Sequence, residues 1–169
     1  MHYHYGSREE LAAAVLARVL EPIQRRRLEL LSTLEEAAVD RQLELDELVN
    51  ALVRPDFEAV VDVASRSAAA TALVGLIYSR PPLFVKSLVE ASFSPVAAKF
   101  LPHLQASLPE IGVTEIAWRI RWGVFGLLGA FLSDPETSIT PETIDREVTH
   151  MVTYLTGALS AHPGQDESR

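Results

Sequence analysis

Cysteine is absent from the chain. That excludes disulfide cross-links and thiolate chemistry and is compatible with a cytoplasmic protein. Basic residues are scarce as well. Fifteen Lys and Arg stand against 23 Asp and Glu, for a formal net charge of −8. A stand-alone DNA binder draws much of its affinity from neutralised phosphates and usually shows a basic face; here the only basic run is Arg25-Arg26-Arg27. Its place within a helical segment predicts a solvated face, or ion pairs to nearby Glu21 and Glu29. Long apolar runs are also lacking. The longest, Ile116 to Leu132, is interrupted by Arg119 and Arg121 and is too short and too charged for a membrane span. No basic segment followed by an apolar one opens the chain, so no secretory leader is expected.

Catalytic signatures are missing too. There is no Gly-x-Ser-x-Gly, no His-Glu-x-x-His and no glycine loop of the phosphate-cradling kind. Glu147-x-x-His150 matches half of a carboxylate di-metal site, but the second copy that such a site needs is not in the sequence. No catalytic residue, metal ligand or cofactor is therefore nominated.

What is present is a helical protein. Over 169 residues, 48% are hydrophobic and 22% charged, enough for one domain with a real core. Ser7-Arg8-Glu9-Glu10 fits a capping box. Leu16, Leu20, Ile23, Leu31 and Leu34 then recur at helical spacing to about Val39, with a kink expected at Pro22. A second helix is expected from Leu43 to Val53, stopping before Pro55, with one or two more over 56–79. The Pro81-Pro82 pair opens another, and Ser94-Pro95 reads as the cap and first residue of the next. Pro109 to Gly112 is a break. A strongly apolar helix runs from Thr114 to Leu132, and Thr140-Pro141-Glu142 starts a last one ending near Ala161.

The penultimate helix has two unlike faces. Gly123, Gly126 and Ala130 share one side; Trp118, Trp122 and Phe125 share the other. Glycine inside a helix costs about 1 kcal/mol against alanine, so close approach of another helix is expected at the small face. The last helix carries Ile144, Val148, Met151, Val152, Leu155 and Leu159 on one stripe. Periodicity alone leaves open whether these stripes pack into the chain's own core or against a second copy. It also leaves open whether Phe84, Phe93, Phe100, Trp118, Trp122 and Phe125 fill a core or wall a cavity. Tyr78, His103 and Arg119 are the polar groups expected near such a cavity, since a buried polar group needs a partner.

Tyr3-His4-Tyr5-Gly6-Ser7-Arg8, running into Glu9-Glu10-Leu11, resembles the Y-H-F-x-S-K-E-E-L junction of TetR-family transcriptional regulators, with Tyr5 and Arg8 as mild departures. In that family the junction follows three short helices that read DNA. Looser matches are Ser94 to Phe100, Leu108-Pro109-Glu110 and Ala117-Trp118-Arg119. The resemblance implies an all-α ligand-binding and dimerisation body over 7–161, a helix-turn-helix remnant over 1–6 and a flexible tail over 162–169. It implies a homodimer through the last two helices, with Gly123, Gly126, Ala130 and the Ile144-to-Leu159 stripe at the interface. It also implies a small hydrophobic effector among the aromatic residues, and places Tyr3, His4 and Arg8 near a DNA backbone, where contacts position rather than read sequence. Effector binding would shift the spacing of two DNA-reading heads. A ligand-sensing or dimer-poisoning protein that does not bind DNA, and a small helical enzyme or carrier, are the alternative readings.

Residues 1–169 alone are expected to show no sequence-specific DNA binding, because the net charge is −8 and no recognition helix is visible in them. A footprinting titration at physiological salt checks this: protection of a defined operator by these residues would refute it.

Overall fold

The computed structural model describes residues 8–66, 83–133 and 140–161, all in helices and the turns between them. Five helices are described: α1 (Arg8–Ala37), α2 (Leu45–Arg66), α3 (Leu83–Ser107), α4 (Val113–Ser133) and α5 (Ile144–Ser160). The fold is all-α, as the sequence predicts. Ser7, the expected cap of the first helix, lies outside the described residues, as do the segments 67–82, 134–139 and 162–169.

Two helix breaks expected from the sequence are absent, and both involve proline. α2 does not stop before Pro55 but continues through it to Arg66. Proline in a helix interior costs about 3 kcal/mol. Here Pro55 is itself buried, and the residues beyond it, Asp56, Phe57 and Val60, are buried too. Ending the helix at residue 53 would forfeit that burial. α3 likewise runs unbroken through Pro95 and Pro102. The two prolines are seven residues apart, so they share one face, and both are exposed. The carbonyls they leave without a partner belong to Ala91 and Ala98, which are exposed as well, so water can satisfy them. Ser94 is therefore an interior helical residue rather than a cap.

At the start of α2, the Glu47 carboxylate accepts the backbone N–H of Glu44 and a two-pronged pair of bonds from Arg41, at 2.7 and 2.6 Å. These bonds, Arg41 foremost, hold Glu47 below the ordinary carboxylate range. At the chain's other end, Thr140 to Thr143 form a turn, and α5 begins three residues later than Pro141 suggests.

The main core lies between α2, α3, α4 and α5, with Leu31 of α1 joining it. Its fully buried members include Leu48, Val53, Phe57, Phe100, Leu104, Ile116, Val148, Leu155 and Leu159. A second cluster of Leu16, Leu20, Val85 and Val89 joins α1 to α3. Between the two sits a charge pair. Arg27 and Asp56 are 5% and 1% exposed, and the Arg27 guanidinium donates to Asp56 Oδ2. It also donates to the Leu52 carbonyl at 2.7 Å and to Gln24 Oε1 at 2.9 Å. The other two arginines of the run behave as the sequence suggests. Arg25 pairs with Glu29, while Arg26 pairs with Glu29 and, across to α2, with Glu58.

Breaking this buried pair leaves an uncompensated charge inside the protein. Asp56→Ala is expected to destabilise the fold by about 3–5 kcal/mol, whereas the double substitution Arg27→Met with Asp56→Leu should restore most of that loss. Chemical denaturation of the single and double variants measures both; a double variant no better than the single would refute the account.

Candidate functional site

A cavity of about 270 Å³ opens between α2, α3 and α4. α3 supplies most of its wall, through residues at helical spacing: Glu90, Phe93, Ser94, Ala97, Phe100, Leu101 and Leu104. α4 supplies Ala117, Ile120 and Arg121, and α2 supplies Leu52. The space exists because the positions that turn toward it include Ser94, Ala97 and Ala117. Three small side chains stand where larger ones would meet and close the gap.

The polar groups of the cavity are few. Arg121 Nη2 lies 2.7 Å from Glu90 Oε1, each side chain about half exposed, so this pair marks the mouth. The Ser94 hydroxyl is one helical turn from Glu90 on the same face of α3. The inner wall is Phe93, whose ring lies 5.4 Å from the Arg27 guanidinium carbon. Behind it is an annex of about 20 Å³ that shares Leu52, Phe93 and Ile120 with the cavity and is lined by Gln24 and Arg27.

Of the residues nominated from sequence for a pocket, Phe93 and Phe100 line this one. Trp118 and Trp122 do not. They are 56% and 61% exposed and lie on another side of α4, their ring centroids 6.4 Å apart. The cavity borders the Ala117–Ile120–Arg121 face of α4 instead. Arg119 is also elsewhere. It donates to the carbonyls of Ala158, Leu159 and Ala161 and to Glu115. A cation at the carboxyl end of α5 satisfies carbonyls that have no helical partner and complements the helix dipole. His103 bonds Glu35 at 2.9 Å and ties α3 to α1. Tyr78 and the side chains of Phe84 and Phe125 lie outside the described residues, as do Tyr3, His4 and the side chain of Arg8.

The stripe nominated on α5 is largely internal. Val148, Leu155 and Leu159 are 1–2% exposed within a single chain, and Ile144, Met151 and Val152 pack half-buried against the same core. The close approach expected at Gly123 is made by the chain's own α5: a Cβ there would sit 2.5 Å from Leu155 Cδ2. Gly126 faces open space, and Ala130 is exposed. Among the described residues, the exposed apolar positions of α4 and α5 include Val113, Trp118, Trp122, Gly126 and Ala130 on α4 and Tyr154, 61% exposed, on α5.

The sequence reading missed Glu90, Arg121 and the small residues. Arg121 could have been separated from Arg119 by spacing, since it shares a face with Ala117 and Val124, whereas Arg119 shares one with Ile116 and Gly123. The Glu147–His150 pair is 3.8 Å apart, with His150 70% exposed. Among the described residues no group of three or more His, Asp or Glu could hold a metal ion, and no helix is long and apolar enough to cross a membrane.

Residues 50–161 match the family model of the tetracyclin repressor-like, C-terminal domain. No curated protein and no solved structure matches the chain. The matched segment takes in well over half of the chain, including all of the cavity's lining residues and the whole of α3, α4 and α5, and the chain therefore belongs to the TetR family.

Proposed function

We propose that this chain is the effector-binding and dimerisation body of a TetR-like regulator, with the effector held in the cavity between α2, α3 and α4. One observation carries the reading. Within the family's C-terminal domain lies a space of about 270 Å³, walled by apolar side chains and carrying polar groups only at its mouth. That is the usual composition of a small-molecule site. In the complete regulator, binding would bias the placement of DNA-reading heads through α1. α3, which supplies most of the cavity wall, meets α1 through the wall residue Phe93 at Arg27, and beside the wall through Ser92 at Gln24 and His103 at Glu35. Effector control follows only from a difference in affinity between two arrangements of these helices.

Ala97→Phe would fill much of the space. Small apolar ligands should raise the melting temperature of the wild-type chain and leave that of the folded Ala97→Phe variant unchanged. Equal shifts in the two proteins would place the ligand elsewhere, and no shift in either across an apolar library would remove the sensing role.

The dimer contact is assigned to the exposed faces of α4 and α5 rather than to the internal stripe. Trp122→Glu should give monomers that keep their helical content, because Trp122 is 61% exposed in one chain. Leu155→Asp should instead unfold the protein, since Leu155 is 2% exposed. Sedimentation velocity at micromolar concentration distinguishes these; a monomeric wild type would end the dimer reading.

A further inference from the structure

From the charges around the cavity we infer that its ligand is an amphipathic monocarboxylate, with its apolar body inside and its carboxylate on Arg121 at the mouth. The inference rests on the cavity being the effector site and adds the chemistry of the effector. Size comes first. An apolar cavity of about 150 Å³ accepts benzene. A space of about 270 Å³ therefore suits an apolar body of roughly ten carbon atoms by the same scale.

Sign comes next. Among the described residues, the charged side chains lining the cavity and its annex are Glu90, Arg121 and Arg27. Asp56, the partner of Arg27, lines neither space. Arg27 is neutralised by Asp56, so the charges that a ligand's head can meet are Arg121 and Glu90 at the mouth. A cationic head would meet the Glu90 carboxylate with the Arg121 guanidinium beside it. An anionic head gains a planar fork of donors from Arg121, a geometry that matches a carboxylate. The Ser94 hydroxyl, one turn from Glu90, can donate to the same head. Glu90 can be displaced cheaply. Its side chain is 50% exposed, so it can turn to water when the ligand's carboxylate takes its place on Arg121. Glu90 thus occupies the place on Arg121 that the ligand's carboxylate would take.

The test uses the full chain and three ten-carbon probes: decanoate, 1-decanol and decyltrimethylammonium, titrated calorimetrically. Decanoate should bind more tightly than either of the others. Arg121→Gln should weaken decanoate about five- to ten-fold while leaving decanol within about two-fold. Glu90→Gln should strengthen decanoate, because it removes the competing carboxylate. Both side chains are half exposed, and circular dichroism confirms that the variants fold. If decanol or the ammonium probe binds as well as decanoate, or if Arg121→Gln leaves decanoate unchanged, the carboxylate assignment is overturned while the cavity stands. If no probe binds, or if Ala97→Phe leaves decanoate binding intact, the cavity reading falls and the assignment with it.

Discussion

The arrangement of α1, α2 and α3 depends on one buried guanidinium. Arg27 donates to Asp56, to the Leu52 carbonyl and to Gln24, and its guanidinium carbon lies over the Phe93 ring. Transferring such a charge out of water costs several kcal/mol, which the attraction to Asp56 offsets only when the geometry is good and the remaining donors are satisfied. The interaction is therefore worth more as a constraint than as a source of stability. A helix shift that separated Arg27 from Asp56 or from the Leu52 carbonyl would leave a buried guanidinium donor without that partner. Apolar packing alone tolerates small slides between helices; a multiply bonded buried charge does not.

This constraint was partly legible in the sequence. Leu16, Leu20, Ile23, Leu31 and Leu34 mark a buried stripe, and Arg27 falls on it, four residues from both Ile23 and Leu31. Asp56 falls likewise on the α2 stripe of Val49, Leu52 and Val60. A basic and an acidic residue, each at a core position of its own helix, are expected to meet. Reading Arg25-Arg26-Arg27 as one basic run hid that, because consecutive helical residues point in different directions and do not share a fate. The prolines misled for a related reason. A proline's cost is local and visible in sequence, but whether it ends a helix depends on the burial gained beyond it and on where the freed carbonyl points. Pro55 is retained by the first, and Pro95 and Pro102 by the second.

The helical class, the break at 109–112 and the extent of α4 could be read from periodicity and punctuation; the candidate site could not. Large aromatic residues attract attention, yet two of the most prominent, Trp118 and Trp122, are exposed. The cavity is made by what is missing, at Ser94, Ala97 and Ala117. Small residues on a helix give the same sequence signal whether they permit close packing, as Gly123 does against Leu155, or leave a space. Only the partner's side chain at the facing position decides between them, and a single sequence does not say which positions face each other.

The geometry of Arg27 also bears on how a cavity could communicate with α1. Two of the groups it holds belong to cavity-lining residues: it bonds the carbonyl of Leu52 and lies over the ring of Phe93. An occupant that displaced Phe93 would alter the surroundings of a charge that cannot be left without partners, and Arg27 is carried by α1 itself. A purely apolar junction would absorb the same displacement by repacking, spreading a fraction of a kcal/mol over many contacts. A buried ion pair responds more steeply, because its energy depends on a few directional bonds. The feature that fixes the three-helix arrangement is therefore also a stiff mechanical link between the cavity wall and α1.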